Sequence, residues 1–146
     1  MLQEVAVTEF PKIKEIVERN ISACKVESRT SFDYINATAT LFASQNNIGV
    51  WVDDIEKPTA LLIVTSGKFG VLNEVFAFVN TIYIDEDRRT PELLKSMADT
   101  AALWAKSRGC KTLQISSWIY RGCPDISSVW VKSGFEPQET IFVKEV

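Results

Sequence analysis

The chain has 146 residues, of which 46% are apolar and 24% charged, and its formal net charge is −3. That composition fits one globular domain and excludes disordered and fibrous classes, a protein-wide positive field for nucleic acid, and a bilayer-spanning run of ~20 apolar residues. The absence of histidine removes histidine-based triads and the commonest zinc sites; the three cysteines, Cys24, Cys110 and Cys123, lack metal-ligand spacing and read as reduced thiols of a cytoplasmic protein.

Leu2 to Val7 alternates and reads as a short strand ending before Pro11. Phe10, Ile13, Ile16, Val17 and Ile21 recur at helical spacing and predict a first helix over Phe10 to Ile21. Ser31 offers an N-cap for a second amphipathic helix carrying Phe32, Ile35, Ala39 and Phe42, which ends near Ser44. Three strands follow as an antiparallel meander: Ile48 to Val52, Ala60 to Thr65, and Leu72 to Ile84, with turns at Asp53 to Pro58 and Gly67 to Gly70. The last of these is apolar on both sides, with Val75, Ala77, Val79 and Thr81 on one face and Phe76, Phe78 and Ile82 on the other, which predicts a central position. Asn80 interrupts the second face.

The best defined helix starts at Thr90-Pro91-Glu92, where Thr is the N-cap, Pro the first helical residue and Glu a carboxylate near the positive end of the dipole. Its stripe is Leu94, Met97, Ala98, Ala101, Trp104 and Ala105, and Gly109 ends it. Thr112 to Ser116 is a further strand, Asp125 to Ser133 a short helix closed by Gly134, and Phe142 with Val143 a final strand.

This order, and in particular TIYIDEDRRTPELLKSMADTAALWAKSRG at Thr81 to Gly109 followed by VWVKSGF at Val129 to Phe135, resembles the GNAT superfamily of acetyl-CoA-dependent N-acetyltransferases. The resemblance implies one α/β domain over the whole chain. Its mixed, mostly antiparallel sheet would have six to seven strands and about four flanking helices. The parallel strands Leu72 to Ile84 and Thr112 to Ser116 would splay apart to admit the pantetheine arm. It further implies acetyl-CoA as cofactor, held by the backbone of Ile82, Tyr83 and Ile84 and by Arg88, Arg89 and Thr90 at the phosphates.

Departures accompany it, one of them Cys123 where the family often has Asn. Where the family's phosphate loop has the form Arg or Gln, x, x, Gly, x, Gly or Ala, the first position falls on Arg89 and the glycine positions on Glu92 and Leu94. Side chains crowd a close backbone approach there and Pro91 removes a donor, which leaves the guanidinium groups of Arg88 and Arg89 to meet phosphate. Where many members carry a tyrosine acid, this chain has Trp130, whose indole N–H is not acidic enough and which reads as a packed aromatic. Tyr120 is the favoured substitute acid, Tyr83 the other, and Glu74 the candidate base. Ser116 and Ser117 are candidates for orienting substrate or pantetheine.

Two functions follow. One is acetyl transfer from acetyl-CoA to a small-molecule or protein amine. The other is the same fold used as a structural or binding module, for example a phage virion component, with a protein partner or a second copy of itself. Neither involves nucleic acid, a membrane or a metal.

Overall fold

A computed structural model of the chain describes residues 1–23, 46–68, 74–117, 125–138 and 144. Within them one sheet has five strands in sequence order: β1 Gln3–Glu4, β2 Ile48–Val52, β3 Ala60–Lys68, β4 Val75–Ile84 and β5 Thr112–Gln114. Neighbours from β1 to β4 are antiparallel, and β5 lies parallel to β4. The α-helices among the described residues are α1 Lys14–Ala23, α2 Pro91–Ser107 and α3 Ser127–Lys132. The mixed α/β class with a parallel pair matches the expectation; the described sheet and helices are fewer than the six to seven strands and four helices expected. The helix expected from Ser31 to Ser44 and the strand at Phe142 and Val143 lie outside the described residues. No described helix is long and apolar enough to cross a membrane.

Three local expectations are corrected. The first strand is only Gln3–Glu4, because after Val5 donates its N–H to Val50 O at 2.8 Å the chain winds into a 3-10 segment, Val7–Ile13. That segment replaces the start of the predicted helix; because it begins at Val7, Pro11 falls at its fifth residue and has no N–H to give Val7 O as an α-helix would require, and the α-helix begins at Lys14. β3 runs through Gly67 to Lys68, with Gly67 opposite Phe76 and Lys68 opposite Val75, so Gly67 is a paired strand residue rather than a turn. Glycine weakens a strand but does not forbid it when the ladder continues on both sides.

The sheet is covered on both faces. On one, Met97, Ala101, Trp104 and Ala105 of α2 pack on Trp51, Ala60, Leu62, Val64, Ala77, Val79 and Ile84. On the other, Phe10, Ile13 and Ile16 pack on Val50, Val52 and Leu61. The helical stripe and the strand alternation thus meet as their periods require. Gly49 allows the closest approach: a Cβ there would lie 2.2 Å from the Trp51 ring and 3.0 Å from that of Trp104. Those two indoles meet edge to face at 6.0 Å.

The β3/β4 ladder slips by one residue. Ile63 faces Thr81 and Val64 faces Val79, so Asn80 has no opposite residue and forms a β-bulge. The side-chain alternation changes phase at that point. Ala77 and Val79 lie in the α2-side core before the bulge and Ile82 and Ile84 after it, while Tyr83 joins the opposite core. The expected grouping of Thr81 with Val79, and of Ile82 with Phe78, is therefore reversed beyond Asn80; an inserted residue flips every side chain that follows.

Between β2 and β3, Asp53 ties the turn by accepting hydrogen bonds from Thr59 N at 2.8 Å, Ala60 N at 2.9 Å and, more closely, Thr59 Oγ1. Burial pushes the Asp53 carboxyl up, but the bonds from Thr59 and Ala60 outweigh it and hold the group below its ordinary value. A depressed carboxyl contributes stability above its unfolded pKa, roughly pH 4, and loses it as pH falls through the folded value. Asp53→Asn should therefore lower stability at pH 7 by about 1–3 kcal/mol and lose less than the parent protein between roughly pH 5 and 2, read by urea denaturation across that range. Gly49→Ala should cost about 1–3 kcal/mol at any pH, because the indole pair must move to admit the methyl group; an unchanged denaturation midpoint would contradict this packing.

Candidate functional site

β4 and β5 pair only at Phe76 with Thr112, Ala77 with Leu113 and Phe78 with Gln114. β5 then ends, while β4 continues for six residues to Ile84. In an antiparallel ladder alternate residues turn their N–H and C=O to the same neighbour. Asp85 N donates to Thr59 O at 2.8 Å, across β3, so Tyr83 and Thr81 also face β3 while Ile82 and Ile84 face away. Lys111 N donates to Val75 O at 2.8 Å, which places Val75, Ala77 and Val79 on the β5 side before the bulge. The bulge thus falls where the parallel pair parts. Beyond it, among the described residues, no strand pairs with the backbone of Ile82 and Ile84 on that side.

At the bulge, Thr65 Oγ1 donates to Asn80 Oδ1 at 2.6 Å, and Asn80 is exposed in the middle of the longest strand. Phe78 is half-buried and alternates with Ala77 and Val79, which puts it off the α2 face.

The turn after β4 is a short 3-10 segment, Glu86–Arg88, leading into α2. Arg88 N donates to Asp85 O at 2.9 Å, and Arg89 Nε donates back to Ile84 O at 3.1 Å. Arg89 therefore uses one of its five donors on the open edge of β4 and keeps the others outward. Among the described residues nothing pairs with the Arg88 side chain, and neither arginine makes an ion pair. Thr90 caps α2 as its sequence predicts: its Oγ1 accepts from Leu93 N at 3.1 Å, and Leu94 N reaches Thr90 O at 3.2 Å. With Pro91 lacking an N–H, few backbone donors of this helix start remain for a ligand.

Asp85 is the node that fixes this turn. Arg19 of α1 meets its carboxylate through Nε at 3.0 Å and Nη2 at 3.1 Å, and Nη2 also donates to Pro58 O at 2.7 Å. Tyr83 OH donates to Asp85 Oδ1 at 2.9 Å. Burial, then that bond to a carboxylate, pushes the Tyr83 phenol up. Its hydroxyl is thus committed to Asp85 and made a weaker acid, the opposite of what the substitute-acid reading of Tyr83 requires. The backbone of Tyr83 faces β3, whereas those of Ile82 and Ile84 face the open side.

The other expected residues are scattered. Glu74 is exposed and precedes β4 at the end opposite the arginine turn, six residues or roughly 20 Å from the bulge. Tyr120 and Cys123 lie outside the described residues. Trp130 is buried, 4% exposed, and stacks edge to face on Phe135 at 6.4 Å, the packed role expected for it. Cys110 packs against the α2-side core, and burial pushes its thiol up, which keeps it protonated. Ser116 is half-buried; Ser117 Oγ donates to Asp125 Oδ1 at 3.2 Å and accepts from Ile126 N at 3.0 Å, pinning the chain after β5 to the start of α3. A cavity of about 350 Å³ lined by Glu4, Phe10, Ile48 and Val50 lies beside β1 and β2, away from this edge.

Arg19 and the Asp85 node leave no signal in the sequence: no local pattern links Arg19 to a residue 66 positions on. Asn80 left a signal, a polar residue inside an apolar run, though its geometric meaning required the ladder.

No protein-family model and no curated protein matches this sequence. Solved structures do match it in fold. An aminoglycoside acetyltransferase from an uncultured soil metagenomic sample, solved with sisomicin, superposes with a TM-score of 0.76 at 13% identity, covering 100% of this chain and 95% of its own. Glucosamine-6-phosphate N-acetyltransferase from Arabidopsis thaliana gives 0.74 at 13% identity, over 99% and 97%. With its sheet order, its parallel pair that parts near a bulge and these neighbours over the full length, the chain has the GNAT fold.

Proposed function

We propose that this protein transfers an acetyl group from acetyl-CoA to an amine. The observation that carries this reading is the open edge of β4: the backbone groups of Ile82 and Ile84 are aimed at the space that β5 leaves. Such an edge offers alternating donors and acceptors to an extended ligand that carries amides, as the pantetheine arm does. The phosphate end fits differently. Thr90 already caps Leu93 N, Pro91 has no N–H, and Glu92 stands where a glycine would let phosphate approach. A backbone nest is therefore unsuited, and the guanidinium groups of Arg88 and Arg89 are the donors that would meet phosphate, Arg89 already oriented by Ile84 O.

When bound, acetyl-CoA would supply an activated acyl carbonyl whose bond to sulfur breaks as the amine nitrogen bonds to carbon, the amine proton leaving with the thiol or to water. The chain's part is to hold the reactants together at the bulge, where effective concentration alone lowers the barrier substantially. Glu74 lies too far from that point for direct proton transfer, and the reading assigns the base to water; Tyr120 remains the proposed acid. The two named neighbours carry amine-bearing sugars in their descriptions, and a small polar amine is the acceptor class proposed here.

A second reading, a binding or structural module without acyl transfer, draws on the same turn: a capped, glycine-free helix start flanked by Glu86, Asp87 and Glu92 disfavours a polyphosphate. Calorimetric titration with acetyl-CoA separates the two. We expect binding in the micromolar range, weakened at least tenfold in an Arg88→Ala/Arg89→Ala variant, each lost charged contact being worth about 1–3 kcal/mol. Absence of heat at millimolar acetyl-CoA would overturn the enzyme reading and favour the module.

A further inference from the structure

The turn that presents Arg88 and Arg89 has little of its own to hold it. It is one 3-10 turn of three residues, exposed throughout, and its internal bond is Arg88 N to Asp85 O. What fixes it comes from elsewhere in the chain. All of the polar groups of Asp85 are engaged: its N–H by Thr59 O, its carbonyl by Arg88 N, its carboxylate by Arg19 and by Tyr83 OH. Arg19 meets the carboxylate with two donors and shares one of them with Pro58 O, the residue beside Thr59. One side chain of α1 therefore brackets the β2–β3 turn and the tip of β4 together. The pair is partly buried, with side-chain exposures of 40% for Arg19 and 23% for Asp85, and its fork geometry fixes direction as well as distance.

We infer that Arg19 is a positioning residue for the anion-binding turn, acting through Asp85 to set where Arg88 and Arg89 stand relative to the open edge of β4. The inference rests on the proposed acetyl-CoA reading for its functional consequence, and it states something the fold alone does not: α1, on the opposite face of the sheet from α2, governs the phosphate end of the site. Lysine cannot replace Arg19, since an ammonium lacks the planar fork that spans both carboxylate oxygens and the Pro58 carbonyl.

The test compares Arg19→Met, Arg19→Lys and the milder Tyr83→Phe with a control, Lys12→Met, which cuts the exposed pair to Glu56. Amide hydrogen exchange and acetyl-CoA titration are measured on each. We expect exchange at Asp85 and Arg88 to rise in Arg19→Met and Arg19→Lys while Leu61 and Leu62 in the core keep the parent rate, and acetyl-CoA affinity to fall on the order of tenfold, as when a partner that orients a ligating group is lost. Tyr83→Phe should move both in the same direction by less, and Lys12→Met should move neither. Unchanged exchange at the turn, exchange raised uniformly across the sheet, or a loosened turn with parent affinity would each overturn the inference. Failure of the parent protein to bind acetyl-CoA would instead sink the functional reading, and the two failures are read from different samples.

Discussion

One inserted residue organises β4. Without Asn80, the side chains that pack on α2 before the midpoint would stay on that side to the strand's end, and the backbone groups that face β5 would keep the same parity. With it, Ile82 and Ile84 take over the α2-side packing from Ala77 and Val79, and their backbone groups are the ones that turn toward β5. The bulge lies just beyond the last β4/β5 pair, Phe78 with Gln114, so the reoriented stretch has no strand beside it among the described residues. A central strand ordinarily spends both edges on neighbours. Here half of one edge has no strand partner among the described residues, while the antiparallel pairing with β3 continues on the other side.

The far end of that edge, after Ile84, is finished by side chains rather than by glycines. Arg89 bonds Ile84 O, Thr90 closes the start of α2, and Arg19 with Tyr83 grips Asp85 between them. A glycine-rich turn presents N–H groups at the cost of conformational entropy, while this turn is stiffened and presents guanidinium groups. The trade gives up the close backbone cradle for two long, strongly charged donors. Arg19 also ties the turn to α1, so that packing on one face of the sheet bears on the geometry at its edge.

Much of the fold was legible because it rests on local or periodic signals. The stripe of α2 is buried at Met97, Ala98, Ala101, Trp104 and Ala105 as its spacing requires, and Thr90 caps it through its own hydroxyl. Cys110 and Trp130 pack as small and large apolar groups do. What escaped was set by registration between distant segments. The face assignments after Asn80 failed because a bulge is a property of two strands, and periodicity is read along one. The 3-10 start before α1 escaped because a proline beside an apolar helical stripe fits the first turn of an α-helix as well as a 3-10 turn. Gly67 reads as a turn along one strand because its place in the sheet is set by Phe76 across the ladder. Arg88 and Arg89 stand out in the sequence as candidate phosphate ligands, whereas Arg19, which bonds Asp85 at the base of their turn, lies on a different helix and carries no motif.

The proposed role of the β4 edge beyond the bulge is to receive the amide-bearing arm of acetyl-CoA. The backbone amide spectrum of isotopically labelled protein titrated with acetyl-CoA tests it. Large shifts are expected at Ile82 and Ile84, whose N–H groups face away from β3, and small ones at Thr81 and Tyr83, whose groups face β3. Saturating acetyl-CoA that leaves Ile82 and Ile84 unmoved, or that moves all four residues alike, would contradict it.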